Sequence, residues 1–120
     1  MLDHINIGVS DLEASRAFYE RALAPLGIAF VIANISGVGF GRGGKPVFWI
    51  SDRSAPGQVH VAFASPDRVT VDLFHREAIA AGGRDNGAPG LRRQYHPAYY
   101  GAFVLDPDGN NIEAVTHIPE

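Results

Sequence analysis

The chain reads as an α+β protein made of two consecutive βαβββ modules, and three observations predict it. The first is order: an alternating strand, an amphipathic helix and short glycine-punctuated strands follow one another twice within 120 residues. The second is spacing. His60 minus His4, Asp67 minus Asp11, Phe74 minus Phe18 and Gly83 minus Gly27 all give 56. A strand histidine, a helix-start aspartate, a mid-helix phenylalanine and a terminating glycine at one common offset mark an internal repeat. The expected single domain thus divides at about 1–56 and 57–120. The third is the closing stretch YYGAFVLDPDGNNIEAVTH, residues 99–117, which reads as a hairpin: an aromatic and apolar strand, a turn-rich Asp106-Pro107-Asp108-Gly109-Asn110, then a β-branched strand from Ile112.

Taken in order, Leu2 to Val9 alternates, with Ile5, Ile7 and Val9 on one face and His4, Asn6 and Gly8 on the other. Ser10-Asp11-Leu12-Glu13 has the form of a capping box with Ser10 as the cap, opening a helix to about Ala24. Leu12, Ser15, Tyr19, Ala22 and Leu26, with Phe18 beside them, form its buried row, and Pro25 and Gly27 end it. Ile28–Ile35, Gly37–Gly41 and Pro46–Ser51 read as three short strands. In the second repeat Val59 to Ala64 alternates again, with His60, Ala62 and Ala64 opposite Val59, Val61 and Phe63. Ser65-Pro66-Asp67 reads as a cap followed by proline at the first helical position. That helix runs to about Ala81, burying Val71, Phe74, Ala78 and Ala81, and stops at Gly82-Gly83. A short strand near Arg84 to Asn86 and the closing hairpin complete the second module.

Composition sets the boundaries of function. Hydrophobic residues make up 46% and charged residues 19%, values of a folded chain with one core. A formal net charge of −3 argues against a nucleic-acid partner or an anionic membrane surface, both of which select basic faces. There is no cysteine, so a metal here would be held by nitrogen and oxygen ligands. No apolar run reaches transmembrane length and no secretory leader is visible, so a cytoplasmic location is expected. The glycine-rich Gly37–Gly44 lacks the Lys-Ser/Thr and following helix of a phosphate loop and reads as a hairpin.

Chemistry concentrates on three side chains. Glu113 is an acid inside an otherwise apolar strand, so it lies on a solvated face or meets a compensating charge. His4 and His60 occupy matched repeat positions, each opposite its strand's apolar row. Two imidazoles and a carboxylate with open coordination positions suit Fe(II), Zn(II), Mn(II), Ni(II) or Co(II). Asn6, near His4, is a candidate substrate donor. Arg92, Arg93, Tyr95 and His96, in the loop before the hairpin, and Tyr100 are candidates to meet an anionic or aromatic substrate. His75 and His117 are expected to be solvated.

His4 with Asp11-Leu12 and Phe18-Tyr19, His60-Val61-Ala62-Phe63, and Asp106-Pro107-Asp108-Gly109-Asn110 followed by Ile112-Glu113 resemble the vicinal oxygen chelate superfamily over nearly the whole chain. That superfamily includes glyoxalase I, extradiol dioxygenases and bleomycin-resistance proteins. The resemblance implies an open, cup-shaped, eight-stranded sheet around a divalent metal held by His4, His60 and Glu113. A fourth ligand common in such families falls here on Trp49 or Ile50, neither of which ligates, so Trp49 is expected to face substrate instead. The implied function is a metal-dependent enzyme acting on a small substrate with vicinal oxygens. Lyase or isomerase chemistry comes first, dioxygenase next, and no residue is assigned as the proton-transferring base. The competing reading is a metal-free binding protein of the bleomycin-resistance kind. Members of this length often pair, so a homodimer is expected, with modules of two subunits completing the cavity.

Overall fold

The computed structural model describes residues 3–35, 37–53 and 59–119. Leu2 and the expected module boundary near residue 56 lie outside the described residues. The element order is β1 (Ile5–Val9), α1 (Leu12–Leu23), β2 (Ala29–Asn34), β3 (Gly37–Arg42), β4 (Lys45–Asp52), β5 (His60–Ala64), α2 (Arg68–Ala80), β6 (Arg84–Leu91), β7 (Tyr100–Leu105) and β8 (Asn111–Thr116). The strands form two four-stranded mixed sheets, ordered β1-β4-β3-β2 and β5-β8-β7-β6. In each, the module's first strand pairs parallel with its last, and the remaining ladders are antiparallel. The α+β fold of paired βαβββ units is therefore the one observed, and the strands of the described residues form no closed barrel.

Local chemistry explains the element starts, and it departs from the expected caps. The side chain of Asp11, not Ser10, caps α1 by accepting from the Ala14 amide at 3.0 Å. Ser10 is drawn away: its hydroxyl donates to Asp108 at 2.5 Å across the two modules. In α2 the cap is Asp67, accepting from the Thr70 amide at 2.8 Å. Ser65 instead donates to the Asp67 carbonyl, and Pro66 stands before the cap. The first helix closes through a short 3-10 turn, Ala24–Leu26, and Gly27 at φ +74°. The second repeat uses Gly82, at φ +100°, for that turn. Gly83 serves close packing: a Cβ there would lie 2.5 Å from Val104 and 2.6 Å from Phe18. The strand expected near Arg84–Asn86 extends to Leu91, and Pro89 is tolerated because β6 is an edge strand.

Both helices turn their apolar faces to one shared core. Phe18, Tyr19, Ala22 and Leu23 of α1 and Val71, Phe74 and Ala78 of α2 are buried among Phe40, Phe48, Ile50, Val104 and Ile112 of the sheets. Each large side chain so buried contributes about 1.5–3 kcal/mol. Edge-to-face contacts run Phe18–Tyr19 at 4.9 Å, Tyr19–Phe48 at 4.9 Å and Phe48–Phe63 at 5.3 Å, the last joining the two modules. Arg21 and Glu77, also 56 residues apart, pair at 3.0 Å. Equivalent helix positions therefore face one another, as a pseudo-two-fold relation requires, and opposite charge makes that contact attractive.

The turn after β7 fastens the modules together. Buried Asp106 accepts from the Tyr19 hydroxyl at 2.6 Å, from the Asp108 and Asn110 amides at 2.9 and 2.8 Å, and from the Asn110 side chain at 2.9 Å. Burial, then the Asp106 charge, pushes the Tyr19 phenol well above its usual pKa, so it remains a donor. With one face of each sheet spent on this core, His4 and Asn6 on β1's side and His60, Ala62 and Ala64 on β5 are left exposed.

Candidate functional site

Glu113 is the buried acid of β8, only 1% exposed. Such a carboxylate requires partners, and it has two. The Tyr99 hydroxyl donates to Oε2, and Nε2 of His60 lies 3.1 Å from Oε1. The β5–β8 register sets this up by pairing Ala62 with Glu113 and His60 with Asn111, so His60 reaches along the edge strand toward the acid. Nδ1 of His60 is 2.9 Å from the Asn111 carbonyl oxygen. A carbonyl only accepts, so Nδ1 carries the hydrogen. Nε2 then faces the carboxylate oxygen either as the donor of an ion pair, when the ring is protonated, or with a lone pair that a shared cation would satisfy, when it is neutral. His60 and Glu113 thus fit two ligands of a divalent metal, with the histidine tautomer fixed as metal ligation needs.

These groups line a cavity of about 510 Å³ together with Tyr95, Tyr99, Phe103 and Asn111. The His60 ring stacks on Phe103 at 6.3 Å and 25°. Tyr99 packs edge-to-face on Tyr95 and on His117, both at 5.0 Å. Burial, then the hydrogen bond to Glu113, raises the Tyr99 phenol well above its ordinary pKa, so it stays protonated as a donor.

His4 lines a different hollow, of about 520 Å³, on the first sheet with Asp3, Asn6, Lys45, Pro46 and Trp49. Its Nδ1 is 2.9 Å from Asp3 Oδ2, and Lys45 Nζ is 2.9 Å from Oδ1 of the same carboxylate. These two contacts, His4 first, hold Asp3 below the usual carboxylate range. A carboxylate also accepts, so His4 has the same tautomer as His60, with Nε2 available. One chain therefore brings His60 and Glu113 together and leaves His4 apart. Among the described residues no group of three or more histidine, aspartate or glutamate side chains is placed to hold a metal ion.

The remaining sequence candidates fall on both sides. Asn6 accepts from the Ser51 hydroxyl at 2.5 Å and, like Trp49, belongs to the His4 hollow. The guanidinium of Arg92 donates to the Gly90 and Ala88 carbonyls at 2.9 and 2.7 Å and lies over Phe103. Arg93 is exposed, and Tyr95 lines the Glu113 cavity. His96 Nδ1 accepts from the Ala98 amide at 3.0 Å, with its ring against His117. Tyr100 turns to the helical side and donates to Asp72 at 2.6 Å. Its neighbour Tyr99, absent from the sequence candidates, lines the site, as do Phe103 and Asn111. Strand parity carried that signal: Phe103 pairs with Glu113, and Tyr99 lies on the same face four residues earlier.

No family model matches the chain, and no curated protein matches it. Among solved structures, a glyoxalase/bleomycin resistance protein from Albidiferax ferrireducens T118 is 34% identical, with a TM-score of 0.82 over 97% of this chain and 98% of that one. The chain belongs to the glyoxalase/bleomycin resistance protein family. This places it in the vicinal oxygen chelate superfamily. A glyoxalase/bleomycin resistance protein/dioxygenase family enzyme from Burkholderia phytofirmans PsJN is 23% identical, with a TM-score of 0.74 over 97% of this chain and 98% of that one. A lactoylglutathione lyase from Agrobacterium tumefaciens is 21% identical, with a TM-score of 0.72 over 97% and 92%. These two share the glyoxalase/bleomycin resistance fold with the chain, and the likeness is one of fold alone. No helix among the described residues is long and apolar enough to cross a membrane.

Proposed function

We propose that the protein is a metal-dependent enzyme acting on a small substrate with vicinal oxygens, by lyase or isomerase chemistry first and ring-cleaving oxygenation next. The observation that carries this reading is the pairing of His60 Nε2 with buried Glu113 Oε1 at 3.1 Å while Nδ1 is committed to the Asn111 carbonyl. His4, in the matched tautomer on the other sheet, supplies the third ligand in a homodimer, where the partner's His4 meets His60 and Glu113. A divalent metal bound there would polarise neighbouring substrate oxygens and stabilise the anion that forms. The chain's own residues do the rest. Tyr95, Tyr99 and Phe103 line one wall, Tyr99 keeps a hydrogen-bond donor beside Glu113, and Asn6 and Trp49 flank His4 on the opposing wall. The test is elemental analysis of protein purified without chelator, repeated on His60→Ala, alongside the native mass in solution. Stoichiometric metal, lost in the variant, and a mass of two chains are expected. A wild-type protein that takes up none of Fe, Zn, Mn, Ni or Co at neutral pH ends the proposal.

A second reading has its own support. Three aromatic rings around one buried carboxylate also suit an organic cation bound without metal. Micromolar binding of such a cation to the metal-free protein, abolished in Glu113→Gln, would favour it.

A further inference from the structure

We propose that Tyr99 and Gly101 form a positioning device for Glu113: the phenol occupies Oε2, the missing side chain of Gly101 leaves room for that contact, and Oε1 alone is presented beside His60. This rests on the metal reading above and concerns how the acid is held rather than which residues ligate.

Three observations converge on the device. The Tyr99 hydroxyl donates to Oε2, whereas Oε1 is the oxygen facing His60 Nε2. A Cβ built on Gly101 would lie 3.1 Å from Glu113 Oε2 and 3.2 Å from a Tyr99 ring carbon, so any side chain there would press on both members of the contact. The Tyr99 ring in turn packs edge-to-face on Tyr95 and on His117 at 5.0 Å each, contacts that restrict where the hydroxyl can point. A carboxylate whose second oxygen is engaged by a fixed donor offers one oxygen in one direction. Freed of the donor, a buried carboxylate has an unsatisfied oxygen and two competing ways to face a cation. Hydrogen-bonded partners of ligating carboxylates commonly govern metal affinity in this way, by about 10–100-fold.

The experiment titrates Co(II) into the metal-free full-length protein, reading the dissociation constant by chelator competition and the visible d–d spectrum. Both are compared among wild type, Tyr99→Phe and Gly101→Ala. The expected result is about 10–100-fold weaker binding in each variant with an altered visible band, as the carboxylate loses its fixed orientation toward the cation. Thermal melts identify any variant that fails to fold, and should Tyr99→Phe be one, the same two readouts are taken on Gly101→Ala. Wild-type affinity within twofold and an unchanged spectrum in the folded variant overturn the device while the metal reading stands. A wild-type protein that binds no Co(II) removes both together.

Discussion

The two modules share a backbone plan and differ in what they mount on it. In the first, β1 and β4 pair so that Asn6 stands opposite Trp49; in the second, β5 and β8 pair so that Ala62 stands opposite Glu113. Since Ala62 is Asn6 plus 56, Trp49 is the positional counterpart of Glu113. Each has a nearby glycine on the middle strand that makes room for it. A Cβ on Gly39 would lie 3.2 Å from the Trp49 indole, and one on Gly101 would lie 3.1 Å from the Glu113 carboxylate. The same register therefore presents an indole in one half and a buried acid in the other. The fold supplies positions, and their chemistry is decided residue by residue.

The largest effect expected is on the fastening between the halves. Asp106 is the buried acceptor of four hydrogen bonds, one of them from Tyr19 in the other module. Asp106→Ala leaves the buried donors of Tyr19 and Asn110 unpaired, and a loss of about 3 kcal/mol or more is expected in urea unfolding. Ser10→Ala removes only the exposed hydroxyl contact to Asp108 and should cost under about 1 kcal/mol. Equal losses in the two variants would mean that the turn, not the buried carboxylate, joins the modules.

This clasp also marks how far the sequence could be read. The offset of 56 made the two modules legible, because it repeats at residues with distinct jobs: capping Asp11 and Asp67, core Phe18 and Phe74. His60 and Glu113 were legible as polar residues against apolar strand rows. The cap positions were misplaced by one residue in α1 and two in α2, because local pattern cannot show that Ser10 is engaged by Asp108, 98 residues away. Likewise, nothing local tells that β1 and β5 enter separate sheets, which is why His4 lies apart from His60 within one chain. Tyr99 was lost to Tyr100 for a smaller reason: the parity that Phe103 fixes had to be carried back across Gly101.

A second variant would reduce the difference between the halves. Trp49→Glu places in the first module the acid its counterpart position carries in the second, beside His4. If the partner's His4 completes the metal site, the added carboxylate becomes a fourth ligand, and metal affinity should rise at least about tenfold, roughly 1.4 kcal/mol. Calorimetry or chelator competition reads this directly. Unchanged affinity in a folded Trp49→Glu dimer would show that the first module's strand does not face the metal.

The smallest effect separates the two helix caps by pH. Asp11 and Asp67 make the same side-chain contact to the amide three residues on, at 3.0 and 2.8 Å. Asp67 also accepts from the Thr70 side chain, and this bond, then the Thr70 amide, holds its carboxyl below the ordinary value of 3.8. A folded-state pKa below the unfolded one contributes stability that is fully present above the unfolded value and is lost as pH falls through the folded value. Asp67→Ala should therefore lower the melting temperature by a few degrees at pH 7, and the gap from wild type should close as the pH falls below 3.8. Thr70→Val removes the side-chain donor while keeping the amide, so in that background the gap at pH 7 should be smaller and its closure complete at a higher pH. A gap that persists unchanged from pH 7 to pH 3 would show that Asp67 acts through packing rather than through its charge, and the parallel with Asp11 would then be one of position alone.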